Sequence, residues 1–176
     1  MKLACAAVVL MLSGCGYTTR LGVPTHLKTV YVAPFTNQID ITAIHTDTHH
    51  LPLYRHGMEV DLSSAVVDRY QFTGLLRPTN TPAGANARVN GELLEFRRDA
   101  LRYDASQQVE EWRLSVVAHI TFTDLTTGIV MWDELRLTGD TTYFATGAQA
   151  EAEATAVDRA ITDLARRVIE RSTEDW

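Results

Sequence analysis

Histidines, paired carboxylates, adjacent serines and clustered arginines are the residues of this chain whose types could do chemistry. Four of the six histidines fall in one short stretch, His45, His49, His50 and His56, with Asp47 among them. Imidazoles and a carboxylate can hold zinc, but such a site needs convergent donors and a supporting second layer of hydrogen bonds. His49 and His50 are adjacent rather than a helical turn apart, so no regular element aims them at one point. A solvated loop is the favoured reading, and no metal or other cofactor is expected. Glu110 and Glu111, like Asp133 and Glu134, sit side by side. Neighbours on a strand face opposite sides, so neither pair makes an acid–base dyad. Ser63 and Ser64 lack the context of a nucleophile elbow, and no glycine-rich loop for phosphate is present. An enzyme is therefore not expected. Arg97, Arg98 and Arg102 stand apart, because guanidinium groups pair bidentately with phosphate. In a chain of net charge −6, this trio is the best candidate for contact with an anionic lipid. The plainer reading is solvated charge at a hairpin end. The acidic balance argues against nucleic-acid binding.

The remaining chemistry belongs to a thiol. One basic residue, Lys2, precedes the apolar run Leu3 to Leu12, and Leu12-Ser13-Gly14 leads into Cys15. A charged start and a short apolar run make an export signal; spanning a bilayer would take about 20 apolar residues. The four residues ending at Cys15 resemble the lipobox of bacterial lipoproteins. That resemblance implies cleavage before Cys15, S-diacylglycerol on its sulfur and an N-acyl group on its new amino terminus. Each buried methylene contributes ~0.8 kcal/mol, and stable anchoring takes more than one chain. Cys5 leaves with the leader, so the mature chain can form no internal disulfide and no zinc site built on cysteine pairs. Gly16, where an Asp commonly retains such proteins in the inner membrane, favours the outer membrane. The expected organisation is a signal peptide over 1–14, a lipidated Cys and tether over 15–27, and one domain over 28–176. The tether between Cys15 and Lys28 reaches ~40 Å when fully extended.

The elements that must position these residues follow from periodicity. LKTVYVAPF reads as a strand, with Pro34 at its end or on an edge. Residues 37–56 have no clean period and read as a long loop. GMEVDLSSAVVDRYQFTG reads as a helix with Met58, Leu62, Ala65 and Val66 on one face and Gly74 after its end. RPTNTPAGAN reads as a turn-rich loop, and ARVNGELLEF as a second strand. From Trp112 to Phe122 apolar residues alternate with mostly polar ones, a long half-buried strand. DLTTG turns the chain, and IVMWDELRLTGD returns as its partner. Its apolar positions change parity between Trp132 and Leu135, which predicts a bulge. Thr146 and Gln149 resemble a capping box opening a long helix striped by Ala150, Ala154, Val157, Ile161, Leu164 and Val168. The order β-α-β-β-β-α predicts an α+β sandwich of two layers, two helices packed on one face of a four-stranded mixed sheet.

Several stretches in this order, CGY, LKTVYVAPFTN, LYRHGMEVDLSSAVVDRY, ARVNGELLEF, WRLSVVAHITFTDLTTGIVMW and a final amphipathic helix ending EDW, are similar to the lipopolysaccharide-assembly lipoprotein family LptE. The resemblance covers nearly all of the chain after the leader; the departure is the longer 37–56 loop. It implies two helices against a four-stranded mixed sheet and a non-enzymatic role. It further implies an anchor in the inner leaflet of the outer membrane, with the domain plugging and helping to assemble the LptD barrel. Lipopolysaccharide is the implied ligand, with basic groups pairing with its phosphates. No lipid-contact residue carries over from a motif; Arg97, Arg98 and Arg102 are read from their chemistry alone. The alternative is a periplasmic adaptor lipoprotein that activates a cell-wall synthase or belongs to another envelope complex. The short tether favours a partner at the membrane itself.

Overall fold

The computed structural model describes residues 23–39, 51–52 and 54–173. Cys15, the leader, most of the tether, and His45, Asp47, His49 and His50 lie outside the described residues. The first strand, β1 (Thr29–Val32), ends before Pro34, and the chain resumes pairing as β2 (Thr36–Asn37). β3 is Leu51–Pro52, α1 is Met58–Thr73 and β4 is Arg77–Thr79. Three long strands follow, β5 (Ala87–Tyr103), β6 (Val109–Asp124) and β7 (Val130–Phe144), and α2 (Glu153–Arg171) closes the fold.

The sheet is mixed and open, in the order β4-β1-β5-β6-β7, with β2 and β3 both pairing alongside β5. It therefore has more than the four strands expected. Two additions explain the difference. The stretch taken as a loop from Arg77 contributes β4, parallel to β1 with Thr29 opposite Arg77. The stretch taken as a structureless loop over 37–56 is tied to β5 at both ends: Asn37 pairs with Leu93, and Leu51 and Pro52 pair with Arg98 and Arg97. Pairing with a neighbouring strand of the sheet supplies order that two- and three-residue segments lack on their own. β5, β6 and β7 form an antiparallel meander.

Both helices cover one face. Met58, Leu62, Val66 and Tyr70 are the buried positions of α1, and their four-residue spacing keeps them on one stripe. Gly57 and Gly74 bracket it with φ of 86° and 64°, a backbone region that costs glycine nothing. α2 begins at Glu153, with no side-chain cap, so the capping box expected at Thr146 does not open it. There Ala150 instead bridges to Phe144. The buried stripe consequently runs through Ala156, Val157, Ala160, Ile161, Leu164, Ala165, Val168 and Ile169, while Ala154 is exposed. Small residues serve a close approach. A β-carbon on Gly139 of β7 would lie 2.5 Å from the Ala160 carbonyl oxygen and from Leu164. Gly91 of β5 plays a similar part for Phe35, whose ring lies where a side chain would be. Buried Tyr70 and Ser172 join the two helices through a 3.0 Å hydrogen bond. Burial pushes the Tyr70 phenol far up, against the opposing effect of that hydrogen bond. No helix among the described residues is long and apolar enough to cross a membrane.

Candidate functional site

Arg97, Arg98 and Arg102 do not lie at a hairpin end beyond a strand. All three are inside β5, which continues to Tyr103. Strand alternation separates them. Arg98 stands opposite Leu114 and Arg97 opposite Ser115, so the first faces the helices and the second the open side. A register shift between Ala100 and Arg102 places Arg102 opposite Glu111, on the same open face as Arg97.

Each guanidinium has partners. Arg98 lies 2.5 Å from Glu153 at the start of α2 and 4.3 Å above the Trp112 ring. Glu153 also accepts a 2.9 Å hydrogen bond from Tyr143. Burial and that bond push the Tyr143 phenol up. Arg97 bonds Glu95 at 3.0 Å and Asp99 at 3.3 Å. Arg102 is looser, 3.4 Å from Glu111 and 5.5 Å above Phe144, with its side chain 57% exposed.

The open face carries more charge than the trio revealed. Arg136 reaches back to Glu95, and exposed Arg113 stands opposite Asp99. Burial opposes ionisation of Glu95, but hydrogen bonds from Arg136 and Arg97 outweigh it and hold the carboxyl below the usual range. Further along, His119 bonds Asp133 at 2.6 Å and lies 3.6 Å from Glu92, while Thr121 donates to Asp133 at 3.0 Å. Hydrogen bonds from His119 and Thr121 hold Asp133 below its ordinary value. Ser115 donates to Asp140 at 2.6 Å. The bulge expected between Trp132 and Leu135 is present two residues further on, between Glu134 and Leu137. Register jumps from Glu134 to Leu137 opposite the Ile120–Ala118 stretch, which leaves Leu135 64% exposed. The offset turns Arg136 toward Glu95, a contact that sequence alternation alone assigns to the wrong side. The result is a sheet face on which positive and negative side chains interlock over a stiff backbone. Chemically it can bind by matched polar contacts.

His56 packs edge-on against Tyr54 with ring centroids 6.4 Å apart, and among the described residues no three metal-ligating side chains gather. Near the other end of the sheet, the chain before β1 is fastened by His26, 2.7 Å from Asp124. Asp124 is 2% exposed and also accepts from the backbone and hydroxyl of Thr126 at 2.7 and 2.6 Å. Burial opposes its ionisation, but the hydrogen bonds from Thr126, His26 and Thr127 together hold the carboxyl far below the usual range.

A family model described as LptE, lipopolysaccharide-assembly, matches residues 27–172. No curated protein matches the chain significantly. Among solved structures, an uncharacterized lipoprotein B from Nitrosomonas europaea is 14% identical, with 91% of this chain and 90% of that chain covered and a TM-score of 0.52. A protein from Xanthomonas campestris is 12% identical over 86% and 90% of the two chains, with a TM-score of 0.49. Rare lipoprotein B from Shewanella oneidensis is 13% identical over 80% and 92%, with a TM-score of 0.46. The Nitrosomonas likeness is one of fold.

Proposed function

The chain belongs to the LptE lipopolysaccharide-assembly family, and from that premise we propose that it is a non-enzymatic outer-membrane lipoprotein. It is acylated on Cys15, plugs and helps assemble an LptD-like barrel, and assists insertion of lipopolysaccharide. The observation that carries the reading is the family match across the whole folded domain. The open face of β5, β6 and β7 supports it. Outer-membrane barrels have polar interiors, and a stiff face of interlocked charges can meet such a wall without exposing unpaired groups.

Within this reading Arg102 and Arg97 are the contacts for lipopolysaccharide phosphate. Arg102 is the more exposed and the less tightly paired of the two. Arg98 can reach a phosphate only by leaving Glu153 and Trp112, so its role is to hold the start of α2.

The test is gentle detergent extraction of the native protein followed by identification of what stays bound. A large heat-modifiable barrel is the expected companion. A peptidoglycan enzyme in its place would transfer the protein to the adaptor class, in which the same anchor serves a cell-wall synthase.

A further inference from the structure

The end of the sheet from which the tether leaves has a composition of its own. Across that end Arg77 pairs with Thr29, Val30 with Ala87, Ala87 with Asp124 and Thr123 with Val130. Arg77, Lys28, Leu125, Ile129 and Val130 therefore lie along one row. Leu125, Ile129 and Val130 are 38%, 60% and 52% exposed. Lys28 and Arg77 are exposed too, and neither forms an ion pair among the described residues. The segments that build this end, 23–28, 80–86 and 125–130, contain no Asp or Glu. Asp124, the acid next to Leu125 in the chain, is buried and taken up by His26 and the turn, and Glu170 at the end of α2 is paired with Arg166. A chain of net charge −6 thus presents one end that is basic and apolar together.

The same end is where the chain toward Cys15 departs. His26 is held against Asp124, and Val23 packs on the core. Val23 is eight positions after Cys15, a span of at most ~28 Å when fully extended. An acylated Cys15 therefore keeps this end within a short distance of the bilayer.

We propose that this end is a membrane-contact surface for an anionic phospholipid leaflet. Leu125, Ile129 and Val130 enter the headgroup boundary, and Lys28 and Arg77 pair with lipid phosphates. The inference rests on the acylation of Cys15 proposed above. Apolar side chains flanked by cations are the chemistry by which peripheral elements lie on anionic membranes. The contact belongs to the anchored chain before it enters the barrel, and in it the β5–β6 hairpin, with Arg102, points away from the leaflet.

The test uses the acylated full chain. Cys5 leaves with the leader and Cys15 is thioether-linked, so Ile129→Cys supplies a single free thiol for an environment-sensitive fluorophore. The protein is reconstituted into vesicles of phosphatidylethanolamine and phosphatidylglycerol containing a lipid spin-labelled near its headgroup. The label at 129 is expected to be quenched severalfold more than one at Ser106→Cys in the β5–β6 turn. Lys28→Glu with Arg77→Glu should reduce that quenching. Thr127→Cys reports on the same turn should Ile129→Cys fail to fold. Intact mass is measured on the same preparation. Acyl groups present with equal quenching at the two positions overturn the contact surface and leave the lipoprotein reading standing. Acyl groups absent overturn the lipoprotein reading and this inference with it.

Discussion

Three residues that resemble ordinary surface charge, Asp124, Arg98 and Arg102, differ in what their removal does. Asp124 is ionised because its hydrogen bonds outweigh its burial. A carboxyl whose folded value lies below the unfolded value of about 3.9 contributes stability above that pH and loses it as pH falls. Asp124→Asn is therefore expected to cost about 1.5–3 kcal/mol at neutral pH, the usual range for hydrogen bonds to a charged group. The gap between variant and parent should narrow below about pH 4. Urea unfolding at a series of pH values checks this; a gap that widens in acid would contradict it. The arginines divide in the same way. Arg98→Ala removes a guanidinium placed between Glu153 and the Trp112 ring, and should lower the thermal midpoint. Arg102→Ala removes a side chain 57% exposed, and exposed pairs contribute about 0–1 kcal/mol. It should leave the midpoint nearly unmoved while weakening lipopolysaccharide binding severalfold. Identical binding by the Arg102 variant and its parent would remove it from the ligand contact.

At the scale of elements, contact between α2 and β7 depends on an absent side chain. A methyl on Gly139 meets the Ala160 carbonyl and Leu164 at 2.5 Å, and backbone cannot rotate away as a side-chain tip can. Gly139→Ala should cost about 1–3 kcal/mol, the range for overpacking, by lifting the helix from the sheet. Gly91→Ala strikes the ring of Phe35 instead, so Gly91→Ala with Phe35→Leu should recover part of the loss. Thermal melts of the three variants separate backbone from side-chain obstruction, and recovery of nothing by the double variant would count against this packing. These close approaches also mark where sequence reading stops. The stripe of α1 was legible from Met58, Leu62 and Val66, because burial follows the helical period. β6 was legible from its alternation between Trp112 and Phe122. The short strands β2, β3 and β4 were not, because their order comes from pairing with distant neighbours. Nor was the start of α2. Thr146 and Gln149 have the spacing of a cap, but Ala150 pairs with Phe144 instead, and the helix opens at Glu153. The arginines were visible as a cluster. Their separation onto two faces was not, since it depends on β5 running on through Tyr103 and on the bulge before Arg102.

For the whole molecule the governing feature is polarity along the long strands. Residues 23–28 and the basic, apolar row occupy one end; the β5–β6 hairpin and Arg102 occupy the other. A short tether makes such polarity useful. Confining a domain near a surface raises its effective concentration for a partner in that surface without adding a contact. Cys15→Ser removes the sulfur proposed to take the lipid, so the leader should stay uncut or be cut elsewhere, and intact mass should show no acyl groups. The domain itself should melt as before, because the core among the described residues is built from Leu27 to Ile169. Co-purification of the barrel should fall sharply at native expression and return in part when the variant is overproduced, since mass action replaces confinement. A Cys15→Ser protein of normal mature mass would refute acylation at that sulfur. A non-acylated variant that still holds its barrel fully at native expression would mean that the interface alone sustains the complex, and that the anchor contributes only to placement.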